Sequence, residues 1–206
     1  MKQKLIIFDM DGTLVNSSLT IANAINYVRV NIGFEPMEQE YILKHVNDQS
    51  INPAQFFYHA PSFDSTHEKY FSEYYTKNHE KELSLYVGIK KLLEILKIKG
   101  HKLAVATNAY RGSTIESLTH LDIYDYFDAL VCYDDVRRGK PYPDMLFKIL
   151  DKLNHDNNKA LFIGDGPRDE LASKRANIPY IMVDWGFTDH SNAVRSVKDL
   201  KDILLN

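Results

Sequence analysis

The chain has 206 residues, of which 44% are hydrophobic and 26% are charged, and its formal net charge is -3. These values are typical of a globular protein, and without a basic stretch they give no reason to expect nucleic-acid binding. No apolar run is long enough to span a bilayer, and the first one begins at Leu5, which leaves no room for a secretory signal.

The single cysteine, Cys132, excludes an internal disulfide and a thiolate metal site. Its apolar neighbours indicate a buried, inert thiol. Together with the composition, this leads us to expect a cytoplasmic protein with neither a membrane nor a nucleic acid as its partner.

The first predicted element is a strand over residues 5–8, which is followed by Asp9 and Asp11. A short apolar run bounded by a turn signal is typical of a buried strand in a parallel sheet. Carboxylates that follow such a strand lie in the crevice where open α/β sheets bind their ligands. Two aspartates this close repel each other unless a metal, a basic side chain or a shared proton lies between them. The structural alternative is an Asp-Gly turn in which one aspartate caps a following helix.

Residues 16–84 contain no strand-like run, and their apolar residues recur every three or four positions. This spacing predicts helices near residues 21–32, 37–46, 51–59 and 64–79. The last of these helices carries an aromatic stripe that we interpret as core, namely Tyr70, Phe71, Tyr74 and Tyr75. We therefore predict an all-helical domain at 16–84, inserted into a main domain formed by 1–15 and 85–206.

From residue 85 onward, apolar strands alternate with amphipathic helices, which is the pattern of a parallel sheet with crossover helices. The predicted strands lie at residues 103–106, 129–132, 160–163 and 180–183. The predicted helices lie at residues 89–98, 113–121, 143–153, 170–176 and 196–204. The predicted fold class is therefore α/β.

Polar side chains follow three of these strands, and all strands of a parallel sheet point the same way. We therefore expect them to meet at one edge, where they would be Asp9, Asp11, Thr107, Asn108, Asp165 and Asp169. Lys140 lies in a loop and can reach that edge on its long side chain. Carboxylate oxygens suit Mg²⁺, while lysine, hydroxyl and amide groups suit the charge of a phosphoryl group. An aspartate screened in this way can act as a nucleophile, and a second carboxyl can protonate the leaving oxygen and activate water.

Each of these residues also has a purely structural explanation. Thr107 and Asn108 could cap the next helix, and Lys140 could be a solvated loop residue. Asp165 and Asp169 could belong to a turn and to a helix start, where the helix dipole favours acidic residues. A single site explains all of them together.

These residues resemble, in order, the four sequence motifs of the haloacid dehalogenase-like hydrolases. The matching segments are residues 9–14, Thr107-Asn108, Lys140-Pro141 with Pro143-Asp144, and Gly164-Asp165 with Asp169. The helical insertion is similar to the type-1 cap of the phosphoglycolate phosphatase-like and β-phosphoglucomutase-like branch. The resemblance implies a Rossmann-like parallel sheet whose strands, counted along the chain, have the order 3-2-1-4-5, with an inserted all-helical cap.

The resemblance also implies a role for each carboxylate. Asp9 is the expected nucleophile and a Mg²⁺ ligand. Asp11 is the expected general acid and base, with its backbone carbonyl on Mg²⁺. Asp165 is expected to ligate Mg²⁺, and Asp169 to support the metal directly or through water. Asp11 further implies a phosphoester substrate, because the dehalogenase branch of the family lacks an aspartate there.

The remaining motif residues are implied to hold the phosphate. Thr107 and Asn108 are expected to bind it, and Lys140 is expected to bridge the nucleophile and the phosphate. Lys140 thereby belongs to both the catalytic and the phosphate-binding residues.

Outside the motifs, three positions bear on the resemblance. Asn177 stands where the family commonly has a glycine that ends the following helix, and asparagine also tolerates the left-handed conformation that this requires. In the cap, Lys44 and His45 are candidate substrate contacts, although a solvated side chain would explain each of them as well.

The sequence therefore predicts a Mg²⁺-dependent phosphoric monoester hydrolase that acts on a small phosphorylated metabolite through an aspartyl-phosphate intermediate. By resemblance, phosphoglycolate is the first candidate substrate, and a sugar phosphate is the next. A phosphomutase of the β-phosphoglucomutase type would use the same residues and return the phosphate to its substrate. A non-enzymatic phospho-receiver switch also combines acidic residues, threonine and lysine at strand ends, although the helical insertion and Asp11 disfavour it. We expect a monomer or a homodimer.

Overall fold

The computed structural model describes residues 4–46, 48, 50–186 and 191–205. The chain divides into two units, one formed by Met1–Asn16 with Ser84–Asn206 and the other by Ser17–Leu83. We call the first the sheet unit and the second the helical unit. Within the described ranges, no helix combines the length and the hydrophobicity needed to cross a lipid bilayer.

The sheet unit is built on parallel strands. The described strands are β1 (Leu5–Phe8), β2 (Val15–Asn16), β3 (Ser84–Leu85), β4 (Lys102–Ala106), β5 (Ala129–Val131), β6 (Ala160–Gly164) and β7 (Tyr180–Met182). The main sheet has the order β5-β4-β1-β6-β7 and all its pairs are parallel. Counted within this sheet the order is 3-2-1-4-5, so the predicted topology is confirmed. The antiparallel pair β2-β3 was not predicted, because two residues are too few to show a period.

Helices connect the strands and form the other unit. The described helices are α1 (Ser18–Asn31), α2 (Gln39–Val46), α3 (Pro53–Tyr58), α4 (Ser65–Glu82), α5 (Ile89–Ile98), α6 (Arg111–His120), α7 (Asp144–Leu153), α8 (Pro167–Ala176) and α9 (Val197–Leu205), with short 3-10 helices at Tyr124–Tyr126, Tyr133–Asp135 and Asn157–Lys159. The first four belong to the helical unit and the rest to the sheet unit.

The central strand β1 is buried along its whole length. This burial explains why its sequence is an unbroken apolar run and not an alternating one. On one face of the sheet, Leu5 and Ile7 belong to an apolar cluster with side chains of α7 and α8. Ile6 and Phe8, which point to the opposite face, are also buried. The strand that carries the first two aspartates is therefore held from both sides.

Helix α8 begins at Pro167, three residues before its predicted start at residue 170. Proline suits the first helical position because its missing N–H would have no partner there. Asp169 lies in the first turn, where its Oδ2 accepts a hydrogen bond from the Gly166 N–H at 3.2 Å. The helix ends at Ala176, and the following Asn177 has a left-handed φ of 53°, as the family resemblance implies for that position.

The helical unit has an apolar core of its own. Helix α1 packs against α2, α3 and α4, and the buried side chains are Ala22, Ile25, Val28, Ile42, Phe57 and Tyr58. The aromatic stripe of α4 is only half-buried: Tyr70 and Phe71 pack against this core, whereas the Tyr74 hydroxyl donates to Glu82 at 2.8 Å. The interpretation of the stripe as core is therefore right for only part of it.

Cys132 follows β5 and is buried, as predicted. Burial raises the pKa of its thiol. Since the thiolate is the reactive form, this cysteine is inert in the folded chain.

We expect the left-handed position at Asn177 to accept glycine and to resist β-branched residues. Asn177→Gly should leave stability nearly unchanged, because asparagine and glycine both tolerate the left-handed conformation. Asn177→Val should lower the free energy of unfolding by about 1–2 kcal/mol, the cost of this conformation for residues that do not tolerate it. Urea denaturation with an unchanged slope provides the measurement. Lys174→Val, at an exposed position of the same helix, is the control, and an equal loss in both valine variants would contradict the assignment.

Candidate active site

Three neighbouring strands, β4, β1 and β6, end in polar residues at one edge of the sheet. Asp9 follows β1, and its backbone N–H donates a hydrogen bond to the Ile163 carbonyl oxygen of β6 at 2.8 Å. Thr107 follows β4, and its N–H donates to the Val131 carbonyl oxygen of β5 at 3.1 Å. Asp165 follows β6. These bonds extend the hydrogen-bond ladder past the strand ends and fix the backbone that carries the functional side chains.

Lys140 reaches this edge from the loop between β5 and α7, and it is buried. Its Nζ lies 2.5 Å from Asp9 Oδ1 and 2.7 Å from Asp169 Oδ1. Burial alone would lower the pKa of Lys140, but the charges of Asp169 and Asp9 raise it. The lysine therefore carries its proton at neutral pH and lies between two of the predicted acidic residues.

The carboxylates of Asp9, Asp165 and Asp169 place oxygen atoms within 4.8 Å of one another. Burial, followed by the charge of Asp169, raises the pKa of Asp9 to about 7, although Lys140 opposes this rise. Burial and the charges of Asp9 and Asp169 raise the pKa of Asp165 well above its ordinary value. Three crowded oxygen donors fit a hard divalent cation such as Mg²⁺, which would stabilise their charged forms.

Asp11 lies in a tight turn in which the Gly12 N–H donates to the Val15 carbonyl oxygen at 2.9 Å. The pKa of Asp9 is raised by burial, by the charge of Asp169 and, to a smaller extent, by the charge of Asp11. The carboxylate of Asp11 is therefore near the same cluster. The three oxygens that meet within 4.8 Å belong to the other aspartates. The side chain of Asp11 is therefore placed beside the cluster and not within it.

Two glycines leave the space that the carboxylates occupy. A Cβ atom on Gly12 would lie 2.2 Å from Asp165 Oδ2, and Gly12 also has a left-handed φ of 80°. A Cβ atom on Gly164 would lie 2.6 Å from the Asp169 carboxylate. The cluster can form only because both positions lack a side chain. The sequence shows both glycines, but it does not show which side chain lies against each.

Three residues to which the sequence analysis gave no role also hold the site. The Tyr180 hydroxyl on β7 donates to the Gly164 carbonyl oxygen at 2.9 Å and fixes the end of β6. Thr13 Oγ1 donates to Asp165 Oδ1 at 3.3 Å, and Trp185 Nε1 donates to the Thr13 carbonyl oxygen at 3.0 Å. These contacts join segments far apart in the chain, so no local pattern could have identified them.

The structure contradicts the helix-capping alternative for Thr107 and Asn108. Helix α6 has Tyr110 at its N-cap, without a side-chain hydrogen bond to the helix. Thr107 Oγ1 instead accepts a hydrogen bond from the Ala109 N–H at 3.0 Å, which leaves its own hydrogen to donate. The Asn108 side chain bonds to the backbone N–H and carbonyl oxygen of Lys140.

The two candidate contacts in the helical unit, Lys44 and His45, lie in α2. Lys44 is exposed. The His45 ring stacks on Phe56 with the ring centroids 4.8 Å apart, and its Nδ1 lies 2.7 Å from the Tyr41 carbonyl oxygen. These contacts give His45 a structural role within its own unit.

Residues 6–183 match the family model of the haloacid dehalogenase-like hydrolases. The phosphoglycolate phosphatase of Aquifex aeolicus is 30% identical over 184 residues, which cover 89% of this chain and 86% of that protein. The pyrophosphatase PpaX of Oceanobacillus iheyensis is 24% identical, with 99% and 96% of the two chains covered. A candidate β-phosphoglucomutase of known structure, from Thermotoga maritima, is similar with a TM-score of 0.78 at 26% identity, over 98% of this chain and 99% of that chain.

The chain therefore belongs to the haloacid dehalogenase-like hydrolase family. Its similarity to phosphatases over most of its length makes it a phosphatase of that family. The predicted family and enzyme class are confirmed. The three relatives are named for three different activities, so the names alone do not select a substrate for this chain.

The raised pKa of Asp165 predicts a pH-dependent cost to stability in the metal-free protein. Between the ordinary and the raised pKa, the folded chain holds a proton that the unfolded chain has lost, so the contribution of Asp165 to stability falls as pH rises. Asp165→Asn, which keeps an acceptor for Thr13, should raise the unfolding midpoint at pH 7 by about 2–4 °C per kcal/mol of cost removed. The gain should shrink at pH 5.

Differential scanning calorimetry in EDTA measures this effect. Asp156→Asn is the matched control, because its carboxylate is exposed and pairs only with a surface lysine at 3.0 Å among the described residues. An unchanged or lower midpoint for Asp165→Asn at pH 7 would contradict the raised pKa.

Proposed function

We propose that this phosphatase is Mg²⁺-dependent, that it hydrolyses a small phosphorylated metabolite, and that it acts through an aspartyl-phosphate intermediate on Asp9. The observation that carries the proposal is the position of the Lys140 ammonium group, 2.5 Å from Asp9 Oδ1 and 2.7 Å from Asp169 Oδ1. A carboxylate can attack a phosphate only where positive charge screens their repulsion. Lys140 supplies that charge beside the attacking oxygen.

In the first step, an oxygen of Asp9 attacks the phosphorus atom and the bond to the leaving oxygen breaks. The transferred group spreads its charge over three equatorial oxygens, which need donors that are already in place. We assign this role to the Thr107 hydroxyl and the Asn108 backbone N–H, together with Lys140. Asp11, two residues beyond the nucleophile, gives its proton to the leaving oxygen, which departs as a neutral alcohol.

In the second step, the Asp11 carboxylate accepts a proton from a water molecule that attacks the phosphorus atom. The bond between Asp9 and phosphorus breaks, and inorganic phosphate leaves. Asp11 is thereby returned to its protonated form and Asp9 to its carboxylate. Lys140 keeps its proton throughout, because its carboxylate neighbours outweigh the effect of burial on its pKa.

Asp9, Asp165 and Asp169 would hold Mg²⁺, with the backbone carbonyl of Asp11 as a further ligand. Oxygen donors of this kind suit the ion, and the close approach of the three carboxylates supports the assignment. When bound, the ion supplies positive charge to the phosphoryl oxygens.

Trp185 gives a way to test the metal site without a substrate. It is the only tryptophan in the chain, and hydrogen bonds connect it through Thr13 to Asp165. Addition of MgCl₂ to the metal-free protein should therefore change its fluorescence along a saturating curve. Asp165→Asn should remove the change and Asp156→Asn should retain it. A fluorescence change that survives in Asp165→Asn would contradict the proposed ligand set.

Asp9→Asn tests the nucleophile. Phosphate release should fall by at least about 10³-fold, because loss of a nucleophile costs this much or more in other hydrolases. The assay is phosphate release from a panel of phosphorylated metabolites at pH 7, with and without MgCl₂, and Asp156→Asn is the control. Full turnover by Asp9→Asn, or equal turnover of the wild type in EDTA, would argue against the mechanism.

Phosphoglycolate stands first in the panel, because the Aquifex aeolicus relative is a phosphoglycolate phosphatase. Pyrophosphate and sugar phosphates follow, since the other two relatives are named for them. Similarity to a candidate β-phosphoglucomutase makes a mutase the second candidate function. Product analysis separates the two, because a phosphatase releases inorganic phosphate and a mutase yields an isomerised sugar phosphate. A long-lived phosphorylated Asp9 without turnover would instead favour a phospho-receiver switch.

A further inference from the structure

We propose that Asn108 is a positioning residue whose side chain binds the backbone of Lys140 and so holds the lysine beside Asp9. We further propose that this contact between Asn108 and Lys140 requires a glycine at position 139. The Asn108 side chain then acts on the lysine, whereas the family resemblance implies that this residue binds the phosphate. The kinetic part of the proposal rests on the proposed function, while the geometric part does not.

The Asn108 amide group forms two hydrogen bonds with one residue of another loop. Its Oδ1 accepts from the Lys140 N–H at 2.8 Å, and its Nδ2 donates to the Lys140 carbonyl oxygen at 2.9 Å. Two bonds to the N–H and the carbonyl of the same residue restrain both the orientation and the position of the Lys140 backbone, as they do in a hydrogen-bonded pair of antiparallel strands. A phosphate contact by this side chain could use only the second amide hydrogen.

The residue before the lysine has no room for a side chain. A Cβ atom on Gly139 would lie 2.6 Å from Asn108 Oδ1 and 2.9 Å from the Tyr133 ring. Tyr133 is exposed and can rotate away, whereas Asn108 can move only by giving up its bonds with Lys140. The φ of Gly139 lies outside the left-handed region. Position 139 therefore requires a glycine because there is no space for a Cβ atom, and not because the backbone conformation demands one.

Lys140 needs a fixed backbone because its four-carbon side chain is flexible and its ammonium group lies between two carboxylates. A shift of about 1 Å in a catalytic group can cost about 10²-fold in rate. On the other side of the loop, Arg175 Nη1 donates to the Pro141 carbonyl oxygen at 2.6 Å. Arg175 is exposed, whereas Asn108 is half-buried and bonds to the lysine itself. Asn108 is therefore the stronger of these two anchors.

The kinetic test compares Asn108→Ala, Gly139→Ala, the double variant and Gly112→Ala. Gly112 is the matched control, because a Cβ atom there meets no atom within 4 Å. Asn108→Ala and Gly139→Ala should each lower kcat by about 10²-fold. KM and the inhibition constant of inorganic phosphate should change little, because the backbone N–H of residue 108, to which we assign phosphate binding, is present in every variant. The double variant should lose no more than either single variant, since both remove the same contact.

Two kinetic outcomes would overturn the proposal. One is a rise in KM and in the phosphate inhibition constant for Asn108→Ala while Gly139→Ala behaves as the wild type, which would indicate a direct phosphate contact. The other is a double variant whose loss is the sum of the two single losses, which would indicate independent effects.

A second measurement needs no substrate. Acetic anhydride modifies accessible amines, and the Lys140 side chain is buried, so Lys140 should be acetylated slowly in the wild type, as read by mass spectrometry. Both Asn108→Ala and Gly139→Ala should accelerate this acetylation, and Gly112→Ala should not. Cys132, buried in the same unit, stays unreactive toward a thiol reagent in a folded variant and so separates local release of the lysine from unfolding.

The kinetic and the acetylation measurements distinguish failure of the proposed function from failure of the positioning role. If the wild type releases no phosphate from any ester while acetylation follows the expected pattern, the proposed function fails and the positioning role stands. If phosphate is released but Lys140 is equally protected in all four proteins, the positioning role fails and the proposed function stands.

Discussion

The ammonium group of Lys140 is the interaction on which the rest of the site depends. Charged groups are costly to bury unless they are paired, and this edge of the sheet brings three carboxylates together, two of which contact one buried lysine. The lysine balances only part of their charge, which is why burial and repulsion raise the pKa of Asp9 to about 7. The remaining negative charge suits a divalent cation, whose own charge, together with that of Lys140, would screen the carboxylates from a phosphate. Charge balance, more than any single hydrogen bond, decides what this edge can bind.

Close backbone approach is the second constraint. Gly12, Gly139 and Gly164 each leave the space taken by one functional side chain. Gly12 lies against Asp165 and Gly139 against Asn108, so these two glycines join parts of the chain that are distant in sequence, whereas Gly164 lies against Asp169, five residues further on. Only Gly12 of the three also has a left-handed φ. The requirement for glycine at the other two positions is therefore steric and can be seen only in the folded structure.

Most of the fold could be predicted from local signals. Helix α5 has the predicted bounds, because an apolar stripe and a following glycine mark them, and the parallel strands predict that Asp9, Thr107 and Asp165 lie at one edge. The predicted start of α8 is too late, because its first turn is polar and shows no apolar stripe; this turn carries Asp169 into the site. The partner of Asn108 could not be predicted, since Lys140 is 32 residues away and no periodicity links two loops.

The central place of β1 has a consequence for synthesis of the chain. This strand precedes both of its partners along the chain, since β4 and β6 begin at Lys102 and Ala160. At the usual pace of translation, the apolar segment waits on the order of 10 s for its first neighbour and longer for its second. During that time the helical unit, which has its own core, can already fold. During synthesis there is therefore a period in which β1, which is fully buried in the folded protein, has neither of its neighbouring strands to cover it.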